Sequence, residues 1–183
     1  MTKTTEHKPR DAIALLKADH REVKEWFAEF ADATSSEVKE KLAMDICRAL
    51  TVHAQIEEQI FYPAFLKATK DKTLHHEAAV EHSCAKRLIG EIEDSSPTDE
   101  YFDSKVHVLS EMIKHHVKEE EQPDGMFDEA RKADIDLEAL GEQLFERKEE
   151  LATGLEVPDR EAKDPVKHIQ SSSASSRARG RVR

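Results

Sequence analysis

Cysteine is nearly missing from this chain. Cys47 and Cys84 are the only two among 183 residues, and they share no paired spacing. A disulfide framework and a cysteine zinc site are thereby excluded, and a reducing, cytoplasmic setting is expected. Glycine and proline are sparse as well, at 5 and 6 residues, so long uninterrupted elements are expected rather than turn-rich strands. No apolar run approaches the about 18 residues that a membrane-spanning helix needs. Met1 to Arg10 are polar and lack the apolar core of a secretory signal. Positive charge is in deficit: the formal net charge is −11, which argues against nucleic acid as the main partner.

What remains is 38% hydrophobic and 37% charged residues, dominated by Ala, Leu, Glu and Lys. That is the profile of an all-α protein with solvated outer faces, and the length suits one domain with a substantial core. Four long helical patterns follow one another. The first runs from about Pro9 to Asp32, with Ile13, Leu16, Val23, Phe27 and Phe30 on one stripe. The second begins near Thr34, where Thr34 to Glu37 read as a capping box. It continues through Leu42, Ile46, Leu50, Ile56 and Ile60 to about Leu66, with Pro63 expected to kink or end it. The third spans roughly Lys72 to Asp94, with Ala78, Ala85, Ile89 and Ile92 inward. The fourth is expected to start at Ser96-Pro97 and to carry Phe102, Val106, Leu109 and Ile113 before Pro123 and Gly125 stop it. Short connections predict an up-down-up-down four-helix bundle. An additional helix is expected from about Asp136 to Thr153, so that residues 1–153 form the domain. Residues 154–183, rich in Ser and Arg, are expected to be a disordered tail. Its last 13 residues hold four Arg and no acid.

Each inner stripe carries a histidine where an apolar residue would be expected: His20, His53, His82 and His116. Two of them have a carboxylate four residues later, Glu57 and Glu120. A spacing of four rotates about 40° and climbs about 6 Å, so each pair looks into the same space. A lone histidine on an apolar face is more often a hydrogen-bonded core residue, and a lone His-xxx-Glu pair is usually a surface pair. Four helices converging on one level are different. Burying two carboxylates uncompensated would cost several kcal/mol each, and no Lys or Arg shares that level of the stripes. A pair of metal ions is the simplest source of cations. Imidazole and carboxylate together suit iron, manganese or zinc, with iron preferred, and leave calcium and magnesium out.

The string His53-Ala-Gln-Ile-Glu57-Glu58-Gln-Ile-Phe-Tyr-Pro63 resembles the second-helix motif of the hemerythrin-like HHE cation-binding family. His116-Val-Lys-Glu-Glu120-Glu121-Gln-Pro123 resembles its repeat, and Ala18-Asp19-His20 and Val80-Glu81-His82 match the two lone-histidine motifs. The resemblance covers about Asp11 to Leu151. It implies a non-haem di-iron centre, oxo- or hydroxo-bridged, with His20, His53, His82 and His116 as ligands and Glu57 and Glu120 as bridges. Glu121 has the His-xxxx-acid spacing of the oxygen carriers and is the reserve ligand. Glu58, about 100° around the helix from Glu57, is expected to matter little. Position 78, four before His82, is alanine rather than histidine, which makes plain oxygen carriage the less fitting role. The ferritin-like pattern, Glu three residues before a histidine, does not occur.

Three functions fit. One is binding or sensing a small diatomic ligand, dioxygen or nitric oxide. The alternative is a di-iron enzyme reducing peroxide or nitric oxide, and the third is iron handling. The first is preferred. Trp26, Phe61 and Tyr62 are expected to pack in the core or at its rim, with donation from Tyr62 to a bound ligand as the lesser role. His75, His76, His107 and His115 are expected to face solvent, with His76 or His115 beside an entrance. Cys84 is expected to be an inert buried thiol.

Overall fold

The computed structural model describes residues 11–154, and within them every regular element is helical. α1 (Ala12–Asp32) starts where Asp11 accepts from the Ala14 amide at 2.7 Å. α2 (Ser36–Ile56) runs into a π-helical turn (Glu57–Phe61) and on into α3 (Tyr62–Thr69). α4 (Lys72–Glu93) is capped by Asp71, which accepts from Thr73 and Leu74. α5 (Phe102–Glu121), α6 (Met126–Lys132) and α7 (Leu137–Ala152) complete the described residues, the last capped by Asp136. None of these helices is long and apolar enough to cross a membrane.

α1, α2, α4 and α5 form the bundle, each packed on the next and α5 back on α1. The core shows why they alternate in direction. It consists of two apolar clusters, one around Ile13, Leu16, Phe61, Phe65 and Phe127, the other around Val23, Phe27, Ile46, Ile89 and Phe102. α1 enters in the first cluster and leaves in the second; α2 does the reverse; α4 repeats the course of α1, and α5 runs from the second cluster into the layer between them, with Met126 and Phe127 of α6 beyond it in the first. Between the clusters lies a single polar layer, so each helix crosses that layer once. α7 covers the groove between α1 and α2. Gly141 makes that approach possible, because a Cβ there would sit 2.7 Å from the Ala12 backbone nitrogen.

Several boundaries differ from expectation. The second helix is capped at Ser35, without a side-chain bond, so no capping box forms at Thr34. Ser96 to Asp99 do close a capped turn: Asp99 accepts from the Ser96 amide at 2.9 Å. That turn does not propagate, and α5 begins only at Phe102. Pro63 does not end the second helix. The distortion falls just before it, where the Tyr62 amide donates to the Glu57 carbonyl in a π-type bond, and Pro63 sits in the first turn of α3 where no amide is required. α6 was not anticipated; it is seven residues long, too short for periodicity to reveal. The Ser/Arg-rich tail and the first residues of the helix expected from Pro9 lie outside the described residues, apart from Gly154.

Candidate metal centre

The polar layer is made of His20 on α1, His53 on α2, Glu57 on the π turn, His82 on α4, and His116 and Glu120 on α5. All six are buried, with Glu57 0% and Glu120 2% exposed. The inner imidazole nitrogens meet in two pairs: His20 Nε2 lies 3.1 Å from His53 Nε2, and His82 Nε2 lies 3.2 Å from His116 Nε2. Both carboxylates reach both pairs. Glu57 Oε1 is 3.3 Å from His53 Nε2 and Oε2 is 3.4 Å from His82 Nε2. Glu120 Oε2 is 3.4 Å from His20 Nε2 and 3.7 Å from His116 Nε2.

The outer nitrogens are all held by carboxylates. His20 Nδ1 donates to Glu121 at 2.8 Å, His53 Nδ1 to Asp19 at 3.3 Å, His82 Nδ1 to Glu58 at 3.0 Å, and His116 Nδ1 to Glu81 at 2.7 Å. Each acid stands beside an inner residue in sequence and serves the histidine of the next helix, so the four contacts run around the bundle and close on themselves. A carboxylate can only accept, so each Nδ1 carries a proton, and an imidazole that holds no second proton presents its Nε2 lone pair inward.

This arrangement is incomplete without cations. Two lone pairs facing each other at about 3 Å repel. Two nitrogens sharing one ion at about 2.1 Å would stand about this far apart. Glu57 Oε1 and Glu120 Oε2 are buried and receive no hydrogen bond, which is costly for a carboxylate unless a cation answers it. Two overlapping groups, His20 with His53 and Glu57, and Glu57 with His82 and His116, have donor atoms close enough to share an ion. The residues present therefore fit a pair of metal ions bridged by carboxylate.

In the metal-free chain protons substitute. Burial, then the charge of Glu57, pushes Glu120 up to about 8. Burial alone would depress His53, but Glu57 and Asp19 push it up to about 10. Both values lie above the ordinary 4.5 and 6.5 of these groups. Such a shift contributes stability that is complete below the ordinary value and is lost as pH rises through the shifted one. Metal-free protein should therefore melt at progressively lower temperature from about pH 6 to about pH 10, as calorimetry in chelator would register. A melting temperature rising across that window would contradict the proton assignment.

The six inward residues expected from the sequence are thus brought to one layer. Glu121 is not among them: it is 29% exposed, on the outer side of His20. Glu58, expected to matter little, holds His82. Asp19, Glu58 and Glu81 were missed as functional residues. The available signal was an acid immediately beside four of the six inward residues, in Asp19-His20, Glu57-Glu58, Glu81-His82 and Glu120-Glu121. Tyr62 is more than packing. Its hydroxyl lies 3.1 Å from Glu120 Oε1, 3.3 Å from Glu57 Oε2 and 3.2 Å from His82 Nε2. Five residues along an ordinary helix would place it about 140° away from Glu57; the wider π turn returns it to the same face. Cys84 is half-buried and accepts from Arg87 at 3.4 Å, so it is not the buried thiol expected. Cys47 is buried, which pushes its thiol up to about 12.

On the other side of the layer is an apolar cavity of about 30 Å³. All four histidines line it, with Val23, Leu50, Ala85, Ile89, Ile113 and Val117 around them.

The solved structure of a hemerythrin HHE cation binding domain-containing protein from Mycobacterium kansasii superposes with a TM-score of 0.65 at 25% identity, over 78% of this chain and 88% of that one. A curated relative, a DNA nickase of Nostoc sp. (strain PCC 7120), is 28% identical over 107 residues. The match takes in 58% of this chain but only 30% of the nickase, so the chain spans about a third of that protein. The profile of the hemerythrin HHE cation binding domain matches residues 11–127, which include all six inward side chains. On the strength of that match and of the shared helical architecture, the chain belongs to the hemerythrin HHE cation-binding family.

Proposed function

We propose that this chain is a non-haem di-iron protein that binds or senses a small diatomic molecule, dioxygen or nitric oxide. His20 and His53 would hold one ion, His82 and His116 the other, and Glu57 and Glu120 would be shared. The iron pair, when bound, supplies the electrons and open coordination positions that a diatomic ligand needs. The observation that carries the reading is the cavity. Its about 30 Å³ has room for a molecule of two or three atoms. Its walls are almost wholly apolar above the four imidazoles, which suits a neutral ligand and disfavours charged ones.

The chain's own groups have separate tasks. The outer carboxylates orient the imidazoles, and the apolar wall keeps water from the layer. Tyr62 holds a hydroxyl proton among the inner groups, since burial and then Glu120 and Glu57 raise its pKa well above the usual phenol value. A phenol held protonated favours hydrogen bonding over proton delivery, and so favours binding over reduction of a ligand. The two unpaired thiols support a reducing, cytoplasmic setting.

The test is to reduce iron-loaded protein without oxygen, then add dioxygen, nitric oxide or peroxide while following its absorption. Reversible spectra with the diatomic gases are expected. Filling the cavity by Ile113→Phe should weaken gas binding by about tenfold or more while leaving iron content unchanged, on the scale of roughly 1–3 kcal/mol for forced overpacking. Sustained turnover of peroxide with no stable adduct would replace this reading by the enzymatic one.

A further inference from the structure

We propose that Glu81, His115 and Glu119 form a second, surface site for a divalent cation, through which metal reaches the buried layer. His115 Nε2 lies 3.2 Å from Glu119 Oε1 and 3.5 Å from Glu81 Oε1. The three donor atoms fall within 4.8 Å of one another, close enough to share one ion. One imidazole and two carboxylates form a donor set for iron(II), cobalt(II), manganese(II) or zinc(II). His115 is 64% exposed, so an ion can arrive from solvent.

An independent observation singles out this sector. The other three outer carboxylates are closed from outside by lysine: Lys148 lies 2.7 Å from Asp19, Lys86 2.5 Å from Glu58, and Lys17 3.0 Å from Glu121. An ammonium at each of those positions neutralises the acid and repels an approaching cation. Among the described residues, no lysine or arginine lies within ion-pair distance of Glu81 or Glu119. Their partners are His115 and His116. Where the other sectors present an ammonium, this one presents an imidazole and a further carboxylate. Glu81 also joins the two sites, since one oxygen faces His115 while the other accepts from His116 Nδ1 at 2.7 Å. A cation held outside is thus one side chain away from the buried donors. In an acidic chain, such a mouth also gathers cations from solution.

The proposal rests on the two-metal reading of the buried layer, and the test separates the two. Metal-free full-length protein is mixed with cobalt(II) in a stopped-flow spectrometer, and bound cobalt is counted by equilibrium dialysis. Wild-type protein should hold two cobalt ions tightly and a third weakly. His115→Lys, which installs the ammonium of the other sectors, should lose the third ion and fill the buried pair at least about tenfold more slowly. Its final count of two tight ions and their absorption spectrum should be unchanged. Glu119→Gln should slow filling less, and Glu111→Gln, on the same helix beside Lys114, not at all. If His115→Lys fills at the wild-type rate and keeps the third ion, the surface site is refuted while the buried pair stands. If wild-type protein holds fewer than two tight ions, the two-metal reading fails and the route falls with it.

Discussion

Replacing Glu57 by glutamine should reduce bound iron from about two per chain to below about one, the largest loss expected from any single isosteric change. Glu57 is wholly buried, and its two oxygens face opposite histidine pairs, Oε1 towards His53 and Oε2 towards His82. A neutral amide keeps the shape but cannot answer two cations. In metal-loaded protein the loss should lower stability by several kcal/mol, because the ions' binding energy is also folding energy. In metal-free protein the loss should be much smaller, since the charge removed there repels buried Glu120 as well as holding the proton on His53. Metal analysis with denaturant melts in both states decides the matter. Tyr62→Phe, which removes only a hydroxyl, serves as the control and should retain its iron. Full iron retention by the glutamine variant would remove Glu57 from the ligand set.

Glu58→Ala should weaken metal binding about 10- to 100-fold while leaving the stoichiometry at saturation unchanged. This carboxylate accepts from His82 Nδ1 and is itself held by Lys86. Without it the imidazole loses the contact that fixes its proton on the outer nitrogen and aims the inner one. Glu121→Ala should behave alike through His20, whereas Glu120→Ala should lower the stoichiometry itself. Competition titrations against a chelator distinguish the two outcomes: a shifted affinity with a full count for the outer acids, a reduced count for the inner one. A reduced count for Glu121→Ala with a full one for Glu120→Ala would reverse the assignment on α5.

Much of this was legible beforehand where it depends on helix periodicity. Ile13, Leu16, Val23, Phe27 and Phe30 are buried on α1 as their spacing requires, and Ala78, Ala85, Ile89 and Ile92 are buried on α4. The same periodicity placed His20, His53, His82 and His116 inward with Glu57 and Glu120. Where local signals compete, the reading slipped. Ser96, Pro97 and Asp99 form a good start signal, yet the turn they cap ends before the apolar stripe begins at Phe102. Tyr62 was expected mainly to pack, because nothing in the local sequence announces the π turn that lies before it and carries its hydroxyl to the inner groups.

By itself, then, the amino-acid sequence determined which side chains enter the interior and at what level, because 3.6 residues per turn converts spacing directly into facing. It did not determine which acid serves which histidine. Those contacts join residues 24 to 101 positions apart, from Glu58–His82 to His20–Glu121. They exist only once neighbouring helices are set side by side in register. The same holds for the cavity above the imidazoles, whose walls come from α1, α2, α4 and α5 together. It holds too for α6, which is short but stacks Phe127 on His20 at 5.8 Å. A helix carries its own hydrogen bonds within a few residues, so its existence and orientation are written locally. The outer ring and the pocket are properties of four helices at once, and only their packing decides them.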